Sequence, residues 1–365
     1  MSVTETQWLR TRRFLERNRF ELGVAAAGDY GDDRRFFGTP LLTRPSFVPA
    51  GPIPLDTIEL TLDAHPDAHP DARPTSREYG AVLPAGERYR DYSDAYRELA
   101  APRVFDNRET YRLTGADLTT APGRLGFGLG RYFDGVDTGE AAAHAFAARH
   151  RGEDPGRIRD RIADPCDLSA RPVNVAVSAL TLRRDASRGD AEFFLHWRDP
   201  EKVGHAGGLF QVVPSGVFQA SGEGAWNRDN DFSLTRFLAR EYAEELGGRA
   251  EEYDNGDRGI DYAAWPFARD FLAHLSGGGI RAWCVGLGVD PLTYATDLLA
   301  VLVFDAAVFD ALFGRVVTEN DEGRVLAGRP FTEAEVARLV ARERMQAAGA
   351  GLLAAAWHHR SVILG

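Results

Sequence analysis

Two cysteines, Cys166 and Cys284, are all that the 365 residues contain. Two thiols can build neither a disulfide framework nor a four-thiolate zinc site, and they suit a reducing compartment. Lysine is nearly absent as well: Lys202 stands alone among 43 basic residues. With the abundance of Ala, Gly and Arg, this reads as the bias of a high-GC bacterial genome, so a single arginine is weak functional evidence. No run of about 18 apolar residues exists, which excludes a spanning helix. Arg10, Arg12 and Arg13 are followed by no hydrophobic segment, so no secretion signal is read and a cytoplasmic location is expected. Positive charge is in deficit, 43 basic against 54 acidic residues for a net −11. That balance argues against an electrostatic footprint for duplex DNA or an anionic membrane. GxSxG, HExxH and Walker A motifs are missing, which disfavours common serine hydrolases, zincins and P-loop enzymes.

What is present is globular: 44% hydrophobic and 27% charged residues match an ordinary folded chain, and the length favours two domains. Trp8, Leu15 and Leu22 recur every seven residues, which predicts a docking helix over residues 5–27. Pro40, Pro45, Pro49, Pro52 and Pro54 then force extended or turn backbone, a strap expected to run over a surface. Ile58, Leu60 and Leu62 alternate as in a half-buried strand. The repeat DAHPDAHPDARP from Asp63 to Pro74 reads as a solvated linker. His65 and His69 within it make a poor metal clip, because each precedes proline and no third ligand is close. Residues 93–99 and 139–150 read as helices and residues 110–113 as a strand. The glycines of GFGLGRYF between Arg124 and Phe133 read as a turn or, as the alternative, a phosphate cradle. Residues 151–172 lack sustained periodicity and carry the boundary, giving an N-terminal lobe over 1–168 and a second domain over 169–365.

The second half changes character. Val175, Val177, Ala179 and Leu182 lead through a turn at 187–190 to Phe193, Phe194 and Leu195, a β-hairpin pattern. Residues 233–246 form a helix, 281–289 and 298–304 buried strands, and 332–357 mostly helix. The expected fold class is α+β, a mixed sheet sandwiched by helices with a smaller N-terminal lobe. Asp290 and Asp297 flank the 281–304 hairpin, and Glu319, Asp321 and Glu322 make an acidic loop.

The run Arg240-Glu241-Tyr242-Ala243-Glu244-Glu245-Leu246-Gly247 is the most informative. Helical geometry gathers Glu241, Glu244 and Glu245 on one side by i, i+3 and i+4 steps. The same side carries Leu234, Phe237 and Leu238, with Arg236, Ala239 and Ala243 opposite. Acids that continue an apolar stripe are costly without a cation. A divalent metal with oxygen ligands supplies one, and pairing with local arginines supplies another.

Residues 240–247 resemble the REUXEEXGU half of the Nudix box, with Arg240, Glu241, Glu244, Glu245 and Gly247 in register and Tyr242 at an apolar position. LHWRDPEKVGHAGGLFQVVPSG upstream resembles the Nudix hairpin, with the opening glycine best placed at Gly216. The resemblance implies a Nudix-like domain over the second half, with Mg²⁺ or Mn²⁺ held by Glu241, Glu244, Glu245 and Gly216. Glu241 would act as auxiliary ligand or base and Arg240 as an internal ion-pair partner. The family's glutamate eight residues before the arginine would fall at Phe232 and its box glycine at Trp226. An insertion of roughly ten residues therefore separates Ser221 from Ser233, and Asp231 or Glu223 is the candidate replacement carboxylate. A further acid is expected from a later loop, at Glu319 or Glu322. The whole chain also resembles a group of high-GC bacterial proteins in which a similar region is sometimes joined to a helix-turn-helix, a module not evident here. The implied activity is metal-dependent hydrolysis of a nucleoside diphosphate linked to another moiety, a small-molecule nucleotide derivative. The alternatives are a ligand-sensing or regulatory protein without turnover, and a scaffold. Neither a membrane nor DNA is an expected partner.

Overall fold

The computed structural model describes residues 2–63, 74–86, 88–102, 105–198, 208–248, 259–314 and 323–365. Its strands are β1 (Ile53–Pro54), β2 (Glu59–Leu62), β3 (Glu109–Asp117), β4 (Arg124–Arg131), β5 (Val175–Asp185), β6 (Asp190–Arg198), β7 (Phe210–Val212), β8 (Ser215–Val217), β9 (Ile280–Val289), β10 (Thr296–Asp305) and β11 (Gly323–Pro330). The main helices are α1 (Val3–Arg17), α2 (Arg19–Ala27), α3 (Tyr92–Ala100), α4 (Ala141–His150), α5 (Ala225–Asp231), α6 (Leu234–Glu245), α7 (Pro266–Ser276), α8 (Ala306–Phe313), α9 (Glu333–Arg342) and α10 (Ala347–His358). His65, His69, Glu319 and Glu322 lie outside the described residues.

The expected N-terminal helix is two. A capping box opens α1: Ser2 Oγ accepts from the Glu5 amide at 3.1 Å while Glu5 accepts from the Ser2 amide at 2.7 Å. Asn18 leaves helical geometry (φ −120°) and separates α1 from α2. Trp8, Leu15 and Leu22 are all buried, so the seven-residue spacing reports packing although the helix breaks. Arg12 and Arg19, also buried, converge on Glu140. Glu140 closes a π-turn (Val136–Glu140) that leads into α4.

The strap does not run over a surface. It holds no α-helix, only a single 3-10 turn at Pro45–Phe47, and Leu41, Leu42 and Phe47 are buried. Leu42 exchanges backbone hydrogen bonds with Val289 at 2.9 and 2.8 Å, and β1 pairs antiparallel with β9. Proline dictates the extended conformation, while the leucines between the prolines decide where it lies. The glycines of GFGLGRYF are likewise neither turn nor cradle. They belong to β4, centre of a small sheet ordered β2-β4-β3. A Cβ at Gly130 would stand 3.1 Å from that of Arg112, so bulky neighbours on β3 account for the missing side chain.

The large sheet runs β1-β9-β10-β5-β6-β11, with β7 beside β6 and β8 beside β5. β10 and β5 are parallel and the other pairs antiparallel, so the sheet is mixed. Strand alternation sends Val175, Val177 and Ala179 into one core with Phe237, Leu238, Phe271 and Phe309 of α6, α7 and α8. Leu180 and Leu182 enter the other core with Leu339 of α9 and Leu352 of α10. Helices thus cover both faces, and the fold class is α+β. No helix among the described residues is long and apolar enough to cross a membrane.

Candidate functional site

Ser233 caps α6 by accepting from the Arg236 amide. Leu234, Phe237 and Leu238 are buried as the stripe requires, but so are Ala239 and Ala243, which the sequence placed opposite. The reason is α7, which packs against α6 in addition to the sheet, so small residues are needed on that side. Tyr242 is fully buried. Its hydroxyl donates to Thr181 Oγ1 at 2.8 Å, and Thr181 donates onward to the Val213 carbonyl at 2.6 Å. This tie pins the helix to the chain entering β8.

The acids separate by environment. Glu241 is half-buried and lies directly against Gly216, where an added Cβ would fall 2.1 Å from Glu241 Oε2 and 2.5 Å from its Cδ. The glycine singled out by the resemblance therefore meets the first glutamate of the run, and only a residue without a side chain permits it. Glu244 is also half-buried. Glu245 is buried, with Oε1 accepting from the Ser215 amide at 2.7 Å and Oε2 3.6 Å from His196 Nδ1. His196 is itself buried on β6.

Arg240 is the cation that the cluster already possesses. Its guanidinium donates to the Gln219 carbonyl at 2.7 Å, lies 3.9 Å from Asp231 Oδ2 and stands over the Phe237 ring at 5.6 Å. Burial pulls its pKa down, but Tyr262, Asp231, Glu241 and Glu244 push it back above the ordinary arginine value. Arg240 thus stays charged and offsets part of the repulsion among the glutamates.

The inserted residues before α6 fold into α5. Arg228 clamps Glu109 of β3 through bonds of 2.8 and 2.9 Å, and Tyr111 donates to the Arg228 carbonyl at 2.7 Å. Asp231 closes α5 with zero exposure. Its oxygens accept from the Ser221 amide (2.8 Å), Ser221 Oγ (2.6 Å) and Tyr262 Oη (2.7 Å). Those donors employ Asp231 in holding the insertion. Glu223 is 76% exposed and 3.7 Å from Arg131. The structure therefore brings Gly216, Arg240, Glu241 and Glu245 together, sets Asp231 3.9 Å from Arg240 with its oxygens taken up by Ser221 and Tyr262, and leaves Glu223 beside Arg131. Among the described residues no three His, Cys, Asp or Glu side chains group as a ready metal cage.

Sequence reasoning named Asp297 beside the hairpin but missed its serine partners next to β8. Ser178 on β5 donates to Asp297 Oδ1 of β10 at 2.7 Å and shares a 2.8 Å hydrogen bond with Ser215 Oγ. Burial pushes the Asp297 carboxyl up to about 7 against the pull of the Ser178 bond, and Asp290 adds to the rise. His196 carried one legible signal: it shares the parity of buried Phe194 on its strand. The rest needs cross-strand register.

No family model matches the chain, and no curated protein matches it. Among solved structures 11 chains match. One is a NUDIX hydrolase from Alicyclobacillus acidocaldarius, 17% identical, spanning 50% of this chain and 89% of that one, with a TM-score of 0.27.

Proposed function

We propose that the protein hydrolyses a nucleoside diphosphate linked to another moiety, at the junction of β8 and α6, with a divalent cation such as Mg²⁺ or Mn²⁺. The observation that carries this is the seating of the Glu241 carboxylate on Gly216, with no room for a Cβ between them. The donor set fits a hard cation of the magnesium kind, which is commonly held by one or two carboxylates and takes its other ligands from water and phosphate. Glu241 and Glu244, both half-buried, with the Gly216 backbone, would hold it, and this set does not require a three-carboxylate cage. When bound, such a cation neutralises diphosphate charge and lowers the pKa of water. Glu241 is the acceptor for the proton of the attacking water. Arg240 keeps the helix's negative charge tolerable before substrate arrives, and Glu245 holds the Ser215 amide. In this reading residues 169–365 are the Nudix-like domain and residues 1–168 a lobe that contributes its strap to the sheet edge.

A second reading, a ligand-sensing protein without turnover, is favoured by two particular placements. Glu245 is engaged by Ser215 and stands beside His196, and Asp231 is engaged by Ser221 and Tyr262. Two of the carboxylates that catalysis would draw on are thus committed to structure. Incubating the protein with a panel of nucleoside diphosphate derivatives and Mg²⁺ separates the readings. Phosphate-containing products that vanish in Glu241→Gln support the hydrolase. Saturable thermal stabilisation by a panel member without any product supports the sensor. Neither effect across the panel removes both.

A further inference from the structure

β8 is three residues long, yet it carries the backbone that meets two of the acids. Ser215 offers its amide to Glu245, and Gly216 receives Glu241. Strand parity places Gly216 on the α6 face of the sheet and Ser215 on the face covered by α10. On that second face the pairing is direct, Ser178 opposite Ser215. There the hydroxyls of Ser178 and Ser215 lie 2.8 Å apart, and Ser178 donates to Asp297 Oδ1 at 2.7 Å.

With Asp297 ionised, counting protons fixes the order of this chain. A serine hydroxyl has one proton, and that of Ser178 goes to Asp297. Ser178 Oγ must then accept from Ser215 Oγ–H, as it does from Gln211 Nε2 at 3.3 Å. Asp297 is 3% exposed, and Ser178 is its hydrogen-bond donor among the described residues. A buried carboxylate is costly in an apolar sheet, and a carboxylate acceptor binds a hydroxyl more strongly than a neutral one. The consequence of placing it here is a one-way hydroxyl chain that ends on the residue before Gly216.

We propose that Asp297 is a positioning residue for the site: through Ser178 it grips Ser215 from the α10 face, holding the Ser215–Gly216 backbone against Glu245 and Glu241 on the other. Its catalytic consequence rests on the hydrolase reading, whereas the grip itself does not. The test therefore pairs hydrogen exchange with kinetics, on the full chain, in Asp297→Ala, Ser178→Ala and Asp297→Asn. Both alanine variants should speed amide exchange at residues 215–218 by roughly tenfold while α1 and β9 keep their protection. They should also lower kcat by about 10-fold or more, with KM within about threefold, because a displaced backbone misplaces the proton acceptor. Asp297→Asn retains an oxygen acceptor for Ser178 and should recover both the protection and most of kcat. Should Asp297→Ala fail to fold, Ser178→Ala carries the same expectation without touching the acid. Unchanged exchange at 215–218 in the alanine variants, uniform acceleration across the sheet, or an Asn variant as impaired as Ala would each overturn the proposal. A wild type that turns over no substrate overturns the hydrolase reading instead, and the exchange result still decides the grip.

Discussion

Gly216→Ala separates the site from the scaffold. The added Cβ would lie 2.1 Å from Glu241 Oε2, and ordinary contact begins at 3.4 Å, so the oxygen must retreat by about 1.3 Å. What it meets is the end of a flexible side chain and not backbone, and Gly216 has no positive φ that alanine would strain. The cost to folding should therefore stay below about 1 kcal/mol, a melting shift of at most about 3 °C. The cost to chemistry should be much larger. A proton acceptor displaced by about 1 Å loses on the order of 100-fold in rate, close to 2.7 kcal/mol of barrier. The assay is steady-state hydrolysis of whichever panel substrate the wild type accepts, read beside a thermal melt. Combining the change with Glu241→Gln should add little, since both act on one carboxylate. A Gly216→Ala protein that keeps its rate within about threefold would refute the reasoning. So would one whose lost activity is matched by a collapse of the melting temperature.

Three further outcomes follow from the buried charges. Glu140→Ala leaves Arg12 and Arg19 buried without the carboxylate on which both converge, and urea titration should show a loss of about 3–5 kcal/mol; a loss under 1 kcal/mol would contradict the reading of α1 and α2 as docked through this acid. Glu245→Ala removes the acceptor of the Ser215 amide and should cost about 1–3 kcal/mol, whereas Glu245→Gln, which can still accept, should retain most of the stability in the same titration. Burial pushes the Asp137 carboxyl up to about 7, against the pull of its bond from the Ser93 amide, with Asp91 and Asp134 adding to the rise. Between pH 4 and 7 the folded state thus holds a proton that the unfolded state has released, so its contribution is full below about pH 4 and lost as pH rises through 7. Starting from the ordinary 3.8, at about 1.4 kcal/mol per pH unit, the ceiling is about 4 kcal/mol. Asp137→Asn should melt higher than wild type at pH 8 and close to it at pH 4, and equal melting differences at the two pH values would count against this.

Periodicity made the second half legible because its elements bury themselves by local pattern. β5, β6, β9, β10 and α6 stand where alternation, the 187–190 turn and the helical spacing of residues 233–246 put them. What stayed hidden depends on distant neighbours. Ala239 and Ala243 read as an open helix side until α7 covers them, and the leucines of the strap read as surface until β9 receives them. Asp231 has the right chemistry for a replacement acid, but Ser221 and Tyr262 decide its use, the second of them 31 residues away. Gly216 was legible only through its resemblance to a known motif. The partnership of Asp297 with Ser178 spans 119 residues and depends on parallel register, which no single strand encodes.

The strap also sets an order of events during synthesis. Thr43 donates to the Leu287 carbonyl, 244 residues later in the chain. At about 5–20 residues per second of translation, that partner emerges roughly 10–50 s after the strap does. Throughout that interval Phe36, Leu41, Leu42 and Phe47 lack the β9 and β10 surface that buries them in the finished fold. An apolar segment waiting this long invites pairing with another nascent chain, and proline is the residue that blocks such pairing. The five prolines spaced through residues 40–54 lack the backbone N–H that such pairing needs, so the waiting segment presents an interrupted row of donors.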